Sequence, residues 1–130
     1  LAENTPLQCT TALHITLLSD RRSFCKAITN VVSNAIKYNQ NNAPICIYQE
    51  ENILIIEDQG IGMSEAELFL VFDRYYQTDS SKEGYGIGLS LVKAYCDSAK
   101  ISLSIDSKKG KGTKVFLDLS RLIVKNAIIQ

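Results

Sequence analysis

The sequence predicts an α/β two-layer sandwich: a mixed, mostly antiparallel five-stranded sheet with about three helices on one face. Two observations support this fold class. Strand-like segments occur as local pairs, at 45–58 and 101–119, and such pairs favour antiparallel hairpins. Helix-like segments lie between these pairs and would cover the sheet from one side. The chain lacks the regular strand–helix alternation that builds a doubly wound parallel sheet.

The N-terminal part of the chain predicts one strand followed by a long helix. Residues 1–10 are expected to be a linker or frayed start, and residues 12–18, rich in Ile, Leu and Thr, predict a strand. Ser19 or Asp20 caps a helix that runs to about Tyr38. Its apolar residues fall on one broad arc that faces a core. They are Phe24, Ala27, Ile28, Val31, Val32, Ala35 and Ile36.

The middle of the chain predicts a hairpin and a short helix. Residues 45–50 and 53–58 are strands joined by a tight turn, and the continuously apolar second strand should be central in the sheet. Ser64 and Glu67 have capping-box spacing and open a short helix.

The C-terminal part predicts a helix, a second hairpin and a tail. Residues 86–98 predict a helix whose apolar face carries Ile87, Leu91, Ala94 and Tyr95. Residues 101–105 and 114–119 alternate in polarity and form a hairpin. The folded domain is therefore expected over 11–119, with a C-terminal tail over 120–130.

Composition excludes several functions. Fourteen basic residues balance fourteen acidic ones, so no electrostatic case for a nucleic-acid or membrane partner follows. The four cysteines form no Cys-x-x-Cys pair and are expected to be buried, reduced thiols, as in a cytosolic protein. His14 is the only histidine, is expected to be structural and has no second histidine with which to bind a metal.

All seven glycines lie in three clusters, at 60–62, 84–88 and 110–112. Glycine lets backbone N–H groups approach a ligand closely, and a phosphate chain is the usual ligand of such loops. A single Gly-x-Gly is most often an ordinary turn, but three clusters on one domain favour phosphate binding. The P-loop pattern Gly-x-x-x-x-Gly-Lys-Ser/Thr is missing, and so is Gly-x-Gly-x-x-Gly.

A fourth motif precedes these clusters on the first helix. Residues 30–38 read Asn-Val-Val-Ser-Asn-Ala-Ile-Lys-Tyr, and Asn30, Asn34 and Lys37 share one helical stripe. Asparagine is a poor helix former, so two within one helix need a reason. A neutral amide oxygen suits Mg²⁺, which prefers few protein ligands together with phosphate oxygens and water.

The order of these motifs resembles the N, G1, G2 and G3 boxes of the sensor histidine kinase catalytic domain. That domain has the Bergerat fold of the gyrase–Hsp90–histidine kinase–MutL ATPase superfamily. Residues 71–76 (Val-Phe-Asp-Arg-Tyr-Tyr) resemble its F box, and the resemblance covers about 11–119. It implies that the domain binds ATP and Mg²⁺ and is an ATP-dependent protein-histidine kinase.

The resemblance also implies roles for single residues. Asn34 would bind Mg²⁺ with Asn30 assisting, and Lys37 would contact phosphate, so that Asn34 and Lys37 are the expected catalytic residues. Asp58 would accept a hydrogen bond from the adenine amino group, and Thr113 would support the base from the other side. The remaining expected nucleotide contacts are Tyr38, Gly60, Gly62, Met63, Tyr76, Lys82, Gly84, Tyr85, Gly86, Ile87, Gly88 and Leu89.

The segment 70–83 would be the lid over the nucleotide, with the polar stretch 77–83 its mobile part. Many relatives have an arginine where this chain has Gln77, and a cation there stabilises charge on the transferred phosphoryl group. Either Arg74 or Lys82 takes that role, or the domain holds phosphate more weakly than those relatives do.

The expected partners follow from what the chain lacks. His14 does not sit in the family's His-Glu/Asp context, so the acceptor histidine is expected on a separate dimerisation domain of a parent chain. A response regulator would complete the two-component phosphorelay. The domain itself would be cytoplasmic, and the resemblance allows a parent anchored in the inner membrane. Two alternatives stay open: an anti-sigma-factor-type serine kinase, and a regulatory module that binds nucleotide without transferring phosphate.

Overall fold

The structure is a computed structural model and describes residues 7–9, 20–40, 42–70 and 85–122. Several predicted features fall wholly or mostly outside these ranges: the strand at 12–18 with His14, the F box at 71–76, the lid segment at 70–83, Gly84, and the tail beyond Leu122.

Among the residues that the structure describes, five strands form one mixed sheet, which is one layer of the domain. The strands lie in the order β1–β2–β3–β5–β4, with β1 parallel to β2 and every other pair antiparallel. Their bounds are β1 Leu7–Cys9, β2 Ile45–Glu50, β3 Ile53–Asp58, β4 Ser102–Lys108 and β5 Gly112–Asp118. The predicted mixed, mostly antiparallel five-stranded sheet is confirmed, and β3 lies at its centre as expected.

The first strand lies where the sequence predicted a linker or frayed start. Leu7–Cys9 pairs in parallel with β2, with Leu7 opposite Ile45 and Cys9 opposite Ile47. A strand of three residues is too short to show an alternating pattern, so its position depends on its partner rather than on its own composition.

The described ranges contain three helices beside the sheet: α1 Arg21–Lys37, α2 Glu65–Leu70 and α3 Tyr85–Ala99. The Asp20 carboxylate accepts the Ser23 N–H at 3.3 Å and caps α1, as predicted. At the start of α2, the Ser64 N–H donates to Glu67 Oε1 at 2.9 Å and the Glu67 N–H donates to Ser64 Oγ at 3.2 Å. This reciprocal pair is the predicted capping box.

The core lies between the helices and one face of the sheet. Ala27, Val31 and Ala35 of α1 are buried there, and the other members of the predicted arc pack against them. The predicted face of α3 is wrong at Leu91, which is 43% exposed, and at Ala94, which is also exposed, whereas Tyr95 packs against the core as expected. Within 89–99, the fully buried residues of the helix are Leu89, Val92 and Cys96. Apolar residues surround α3, so the sequence alone did not fix which side meets the sheet.

The thiols are less uniformly buried than expected. Cys96 is buried, which raises its pKa to about 11, whereas Cys46 is partly buried and Cys25 is exposed on α1. None of these three described cysteines forms a disulfide. No helix within the described ranges combines the length and the apolar character that crossing a bilayer requires.

Candidate functional site

A row of polar side chains crosses three neighbouring strands at one end of the sheet. Asp58 ends β3 and pairs with Thr113 of β5, which in turn pairs with Ser107 of β4. Side chains alternate between the two faces of a sheet, so this row shares a face with the core residues Ile56 and Val115 two positions further along their strands. Asp58 is 7% exposed and Thr113 5%.

Helix α1 brings a third buried polar group to this row. Asn34 is 7% exposed and lines one pocket together with Asp58 and Thr113. The other lining residues are apolar: Val31, Ala35, Ile56, Met63, Leu89 and Val115. Asn34, Asp58 and Thr113 are also the only buried polar or charged residues in the part of the chain that the structure describes. Apolar walls with a few converging polar groups are typical of a small-molecule site.

Burial controls the charge of Asp58. It raises the pKa of this carboxyl to about 6 from the ordinary 3.8, although hydrogen bonds from the backbone N–H groups of Gly60 and Thr113 act in the opposite direction. The Gly60 N–H lies 2.8 Å from Asp58 Oδ1. Asp58 is therefore mostly ionised at pH 7, and its carboxylate accepts hydrogen bonds at the wall of an apolar pocket.

The loop after Asp58 packs directly on the end of α1. The Ile61 N–H donates to the Tyr38 carbonyl at 3.1 Å, and a Cβ on Gly60 would lie 2.1 Å from that same oxygen. Only glycine fits so close to another backbone. Tyr38 is 1% exposed, so the C-terminus of α1 is fixed between the core and this loop.

The β4–β5 turn closes over the same loop from the other side. The Gly110 N–H donates to the Ile61 carbonyl at 2.7 Å, and the Met63 N–H donates to Ser107 Oγ at 2.9 Å. Gly112 has φ +93°, and a Cβ there would lie 2.2 Å from the Asp58 carbonyl oxygen. The turn and the loop thus hold Asp58 and Thr113 next to each other through backbone contacts.

An ion pair extends this junction to α2. Lys109 of the turn lies 3.0 Å from Glu67 Oε1, and the Glu67 side chain is only 16% exposed. Hydrogen bonds to the Ser64 N–H and to Lys109 lower the pKa of Glu67 although burial alone would raise it. Helix α2 is therefore fastened to the turn that carries Gly110.

The remaining predicted residues lie at different distances from the pocket. Met63 and Leu89 line it. Asn30 instead lines a separate groove between α1 and α3, with Lys26, Leu91 and Tyr95 among its other residues. Lys37 is exposed at the end of α1, and Gly62 is buried in the loop after Asp58. Tyr85, Gly86, Ile87 and Gly88 form the first turn of α3, while Tyr76, Lys82 and Gly84 lie outside the described residues.

Sequence reasoning missed Ser107. Its hydroxyl contacts the backbone of the loop at Met63 and lies 2.8 Å from Thr113 Oγ1. A serine on an alternating strand carries no sequence signal of its own, and only the pairing register of β4 and β5 shows that it adjoins the pocket.

Asn34 has a buried hydrogen-bond donor that no protein group uses. Its Nδ2 is buried and has no hydrogen-bond partner. A buried amide atom without a partner costs about 1–3 kcal/mol, and a bound acceptor, such as a phosphate oxygen, would remove that cost at Asn34 Nδ2. The side-chain amide of Asn34 offers both an oxygen for a cation and an N–H for an anionic oxygen.

Comparisons with known proteins identify the family to which the chain belongs. The family model of histidine kinase-, DNA gyrase B- and HSP90-like ATPases matches residues 19–123. The sensor protein CiaH of Streptococcus pneumoniae is 32% identical over 109 residues, which are 78% of this chain and 24% of that protein. The sensor histidine kinase YclK of Bacillus subtilis is 31% identical over 114 residues, 82% of this chain and 24% of that protein. SrrB of Staphylococcus aureus is 34% identical over 104 residues, 74% and 18% of the two chains.

The chain thus spans between 18% and 24% of the length of these relatives. Among solved structures, the mycobacterial sensor histidine kinase MprB superposes with a TM-score of 0.80 at 24% identity, covering 94% of this chain and 84% of that one. This likeness shows a shared fold. The family match covers most of the chain and includes every described residue of the pocket. The chain therefore belongs to the family of histidine kinase-, DNA gyrase B- and HSP90-like ATPases.

Proposed function

We propose that this domain binds Mg·ATP in the pocket formed by Asn34, Asp58 and Thr113 and transfers the γ-phosphate to a histidine on a separate domain. One observation carries the proposal: the three buried polar side chains of the described chain converge in one otherwise apolar pocket. A purine has this chemistry, with apolar faces and a polar edge, and the family is one of ATPase domains.

Asp58 is the proposed reader of the adenine base. Its ionised carboxylate accepts a hydrogen bond from the 6-amino group, while the Thr113 hydroxyl serves the neighbouring ring nitrogen directly or through water. A site whose buried polar groups match the substrate rejects analogues that leave them unpaired. A 6-oxo purine would place an oxygen against the Asp58 carboxylate and would therefore bind more weakly.

Asn34 is the proposed metal ligand. Its side-chain oxygen would bind a Mg²⁺ ion, which would neutralise phosphate charge, and its buried, unpartnered Nδ2 would donate to a phosphate oxygen. Asn30 faces a different groove, so its predicted assisting role is proposed only as a weaker contribution. The N-terminal turn of α3 adds backbone N–H groups and a favourable dipole for phosphate, and Lys37 adds a cation at the end of α1.

The acceptor and the partners are proposed from the relatives. Two of them are named sensor proteins and a third a sensor histidine kinase, and the match covers less than a quarter of each of them. We therefore propose a cytoplasmic catalytic domain that acts on a histidine-bearing dimerisation domain of a longer chain, which then passes the phosphoryl group to a response regulator. The domain's contribution to transfer is positioning and charge neutralisation rather than a covalent intermediate.

Labelled ATP tests the proposal. The domain is incubated with [γ-³²P]ATP and Mg²⁺, alone and with the helical histidine-bearing domain of its parent. We expect label only in the mixture, on the added domain, and we expect the label to be lost in acid and kept in base, as for a phosphohistidine. A D58A variant should transfer no label, whereas D106N, which changes an exposed carboxylate on β4, should behave as the wild type.

Two results would contradict the proposal. Acid-stable label on a serine-containing target would favour the serine kinase alternative. Tight ATP binding without label on any supplied histidine domain would favour a regulatory module.

A further inference from the structure

Helix α2 presents an apolar surface to solvent. Its inner side is fixed, because Leu68 packs against the core and Glu67 forms the ion pair with Lys109. On its outer side Phe69 is 87% exposed and Leu70 41%. An aromatic side chain carries a large apolar area, and leaving it in water gives up the free energy of burying it. The Phe69 ring therefore projects from the domain as an apolar group that a partner surface could cover.

The exposed face of α2 also carries one negative charge. Glu65 is exposed and lies four residues before Phe69, so the two side chains share one face of the helix. Glu67, the other acidic residue of α2, is already paired with Lys109. A surface that receives α2 must therefore offer an apolar recess for a ring and, one helical turn away, a cation for Glu65.

A groove between α1 and α3 offers the apolar recess. Its volume is about 340 Å³, and Leu91, Ala94 and Tyr95 line its α3 side, while Ala27 and Lys26 belong to its α1 side. Leu91 is 43% exposed, and together with Phe69 and Leu70 it is one of the exposed large hydrophobic residues in the described part of the chain. A space at the lower end of the range of small-molecule pockets holds an aromatic ring.

The α1 side of this groove offers the cation. Lys26 is exposed at the groove, and α1 as a whole contains four basic residues and no acidic one. On the α3 side, Lys93 and Asp97 lie 3.0 Å apart and neutralise each other. The groove thus combines an apolar lining with a positive rim, which complements the apolar and negative face of α2.

The two surfaces do not meet within one molecule. The groove lies along the N-terminal half of α1, whereas the loop that leads to α2 packs on Tyr38 at the other end of that helix. The ion pair with Lys109 holds α2 at the β4–β5 turn, and the exposure of Phe69 shows that its ring is outside the groove of its own chain. A second copy of the chain supplies each surface with the other.

We propose that the α1–α3 groove binds helix α2 of a second copy of this chain, with the Phe69 ring against Leu91 and Tyr95 and Glu65 beside Lys26. The copies meet through different surfaces, so the contact is heterologous. One aromatic side chain buries about 150–250 Å², far less than the roughly 1,200 Å² of a stable interface, so the contact is weak and depends on concentration. It does not depend on the proposed function, although a dimeric parent chain would favour it by tethering two domains at an effective concentration of about 1 mM.

A dilution series of the ¹⁵N-labelled domain tests the proposal. Amide spectra recorded from about 50 μM to about 1 mM span the range in which a contact of this size associates, and they report on each backbone N–H separately. We expect concentration-dependent shifts at α2 and along the groove, and none at the β2–β3 turn. The same spectra show whether each variant is folded.

Substitutions on both surfaces should weaken the association. F69S and L91S, which remove apolar contacts from exposed positions, should each lower the affinity at least about tenfold. K26E and E65K should each lower it about two- to fivefold, because each places like charges together, while E50K makes the same change as E65K on exposed β2 and should behave as the wild type. An equimolar mixture of K26E and E65K should associate as the wild type does, because opposite charges then face each other across the contact.

Several outcomes would overturn the proposal. One is the absence of concentration-dependent shifts in the wild type, and another is an association that F69S and L91S leave unchanged. A mixture of K26E and E65K no tighter than either variant alone would also overturn it, because the two surfaces would then not face each other. ATP titration of the same proteins keeps the two proposals apart, since none of these residues lines the nucleotide pocket and each variant should keep the wild-type affinity. A wild type that associates but binds no ATP would defeat only the proposed function.

Discussion

The buried charge on Asp58 should make the free domain less stable than a variant without it. Asp58 is 7% exposed, and its pKa in the folded protein is about 6 against an ordinary 3.8. A raised pKa means that folding disfavours the ionised form. The stabilising contribution of the neutral form is fully present below pH 4 and is lost as the pH rises through 6. The shift of about two units corresponds to about 3 kcal/mol at pH 7.

The D58N variant removes this cost while keeping the shape of the side chain. Its amide oxygen can still accept the Gly60 N–H, and its charge no longer changes with pH. We expect the free energy of unfolding at pH 7.5 to rise by about 1–3 kcal/mol, less than the full linkage value because the amide accepts more weakly from Gly60 and Thr113. ATP affinity should fall at least about tenfold, because a charged acceptor for the base is lost.

Urea unfolding followed by circular dichroism, without nucleotide and from pH 5 to pH 8, measures the difference between D58N and the wild type. The difference should be largest above pH 7 and should shrink toward pH 5, where the wild-type carboxyl is mostly protonated. D106N repeats the chemical change at an exposed site on β4 and should alter stability little. A D58N protein that is less stable than the wild type at pH 7.5, by an amount independent of pH, would refute the reasoning.

Two further substitutions test other parts of the site. N34A should keep the fold, because the buried Nδ2 has no protein partner to lose, but the affinity of the variant for nucleotide should no longer increase with Mg²⁺. Calorimetric titration with and without the metal measures this, and a persisting dependence on Mg²⁺ would contradict it. G112A should lower the free energy of unfolding by more than about 2 kcal/mol, because its Cβ would meet the Asp58 carbonyl and its φ is positive. G110A also has a positive φ but has open space around the new Cβ, so it should lower the free energy of unfolding by less than half as much. Equal losses in urea unfolding would disprove the steric explanation.

Local sequence signals were sufficient where each element carries its own pattern. The α1 helix has a capping aspartate and a broad apolar arc, and the β2–β3 hairpin has two strands with a two-residue turn between them, so their bounds were predicted closely. The central place of β3 followed from its continuous apolar run. These features depend on residues close together in the chain, and a sequence shows such relations directly.

Long-range relations were not visible in the same way. Strand β1 has only three residues, and its parallel pairing depends on β2. Helix α3 is apolar on several sides, so its sequence does not show which side is buried. The position of the sheet decides this, and it buries Leu89, Val92 and Cys96 rather than Leu91. Ser107 entered the site through strand register alone.

The glycines illustrate a partial success. Their clustering predicted loops where backbone comes close to something, and at Gly60 and Gly112 that partner is the protein's own backbone, at Tyr38 and at Asp58. The residue type therefore indicated close approach without identifying what approaches. Whether the glycines of α3 meet phosphate stays a prediction.

The pairing of β3 with β5 has a consequence for how the domain is made. Asp58 and Thr113 lie on neighbouring strands but far apart in the chain, so the pocket closes only through a contact of long sequence separation. Such contacts form slowly, because a long loop must be ordered first. In a chain emerging from the ribosome, α1 and the β2–β3 hairpin are synthesised well before β5. With ATP bound in the proposed pocket, nucleotide would stabilise the domain only after β5 has been synthesised, and premature termination before β5 would yield a product that ATP cannot rescue.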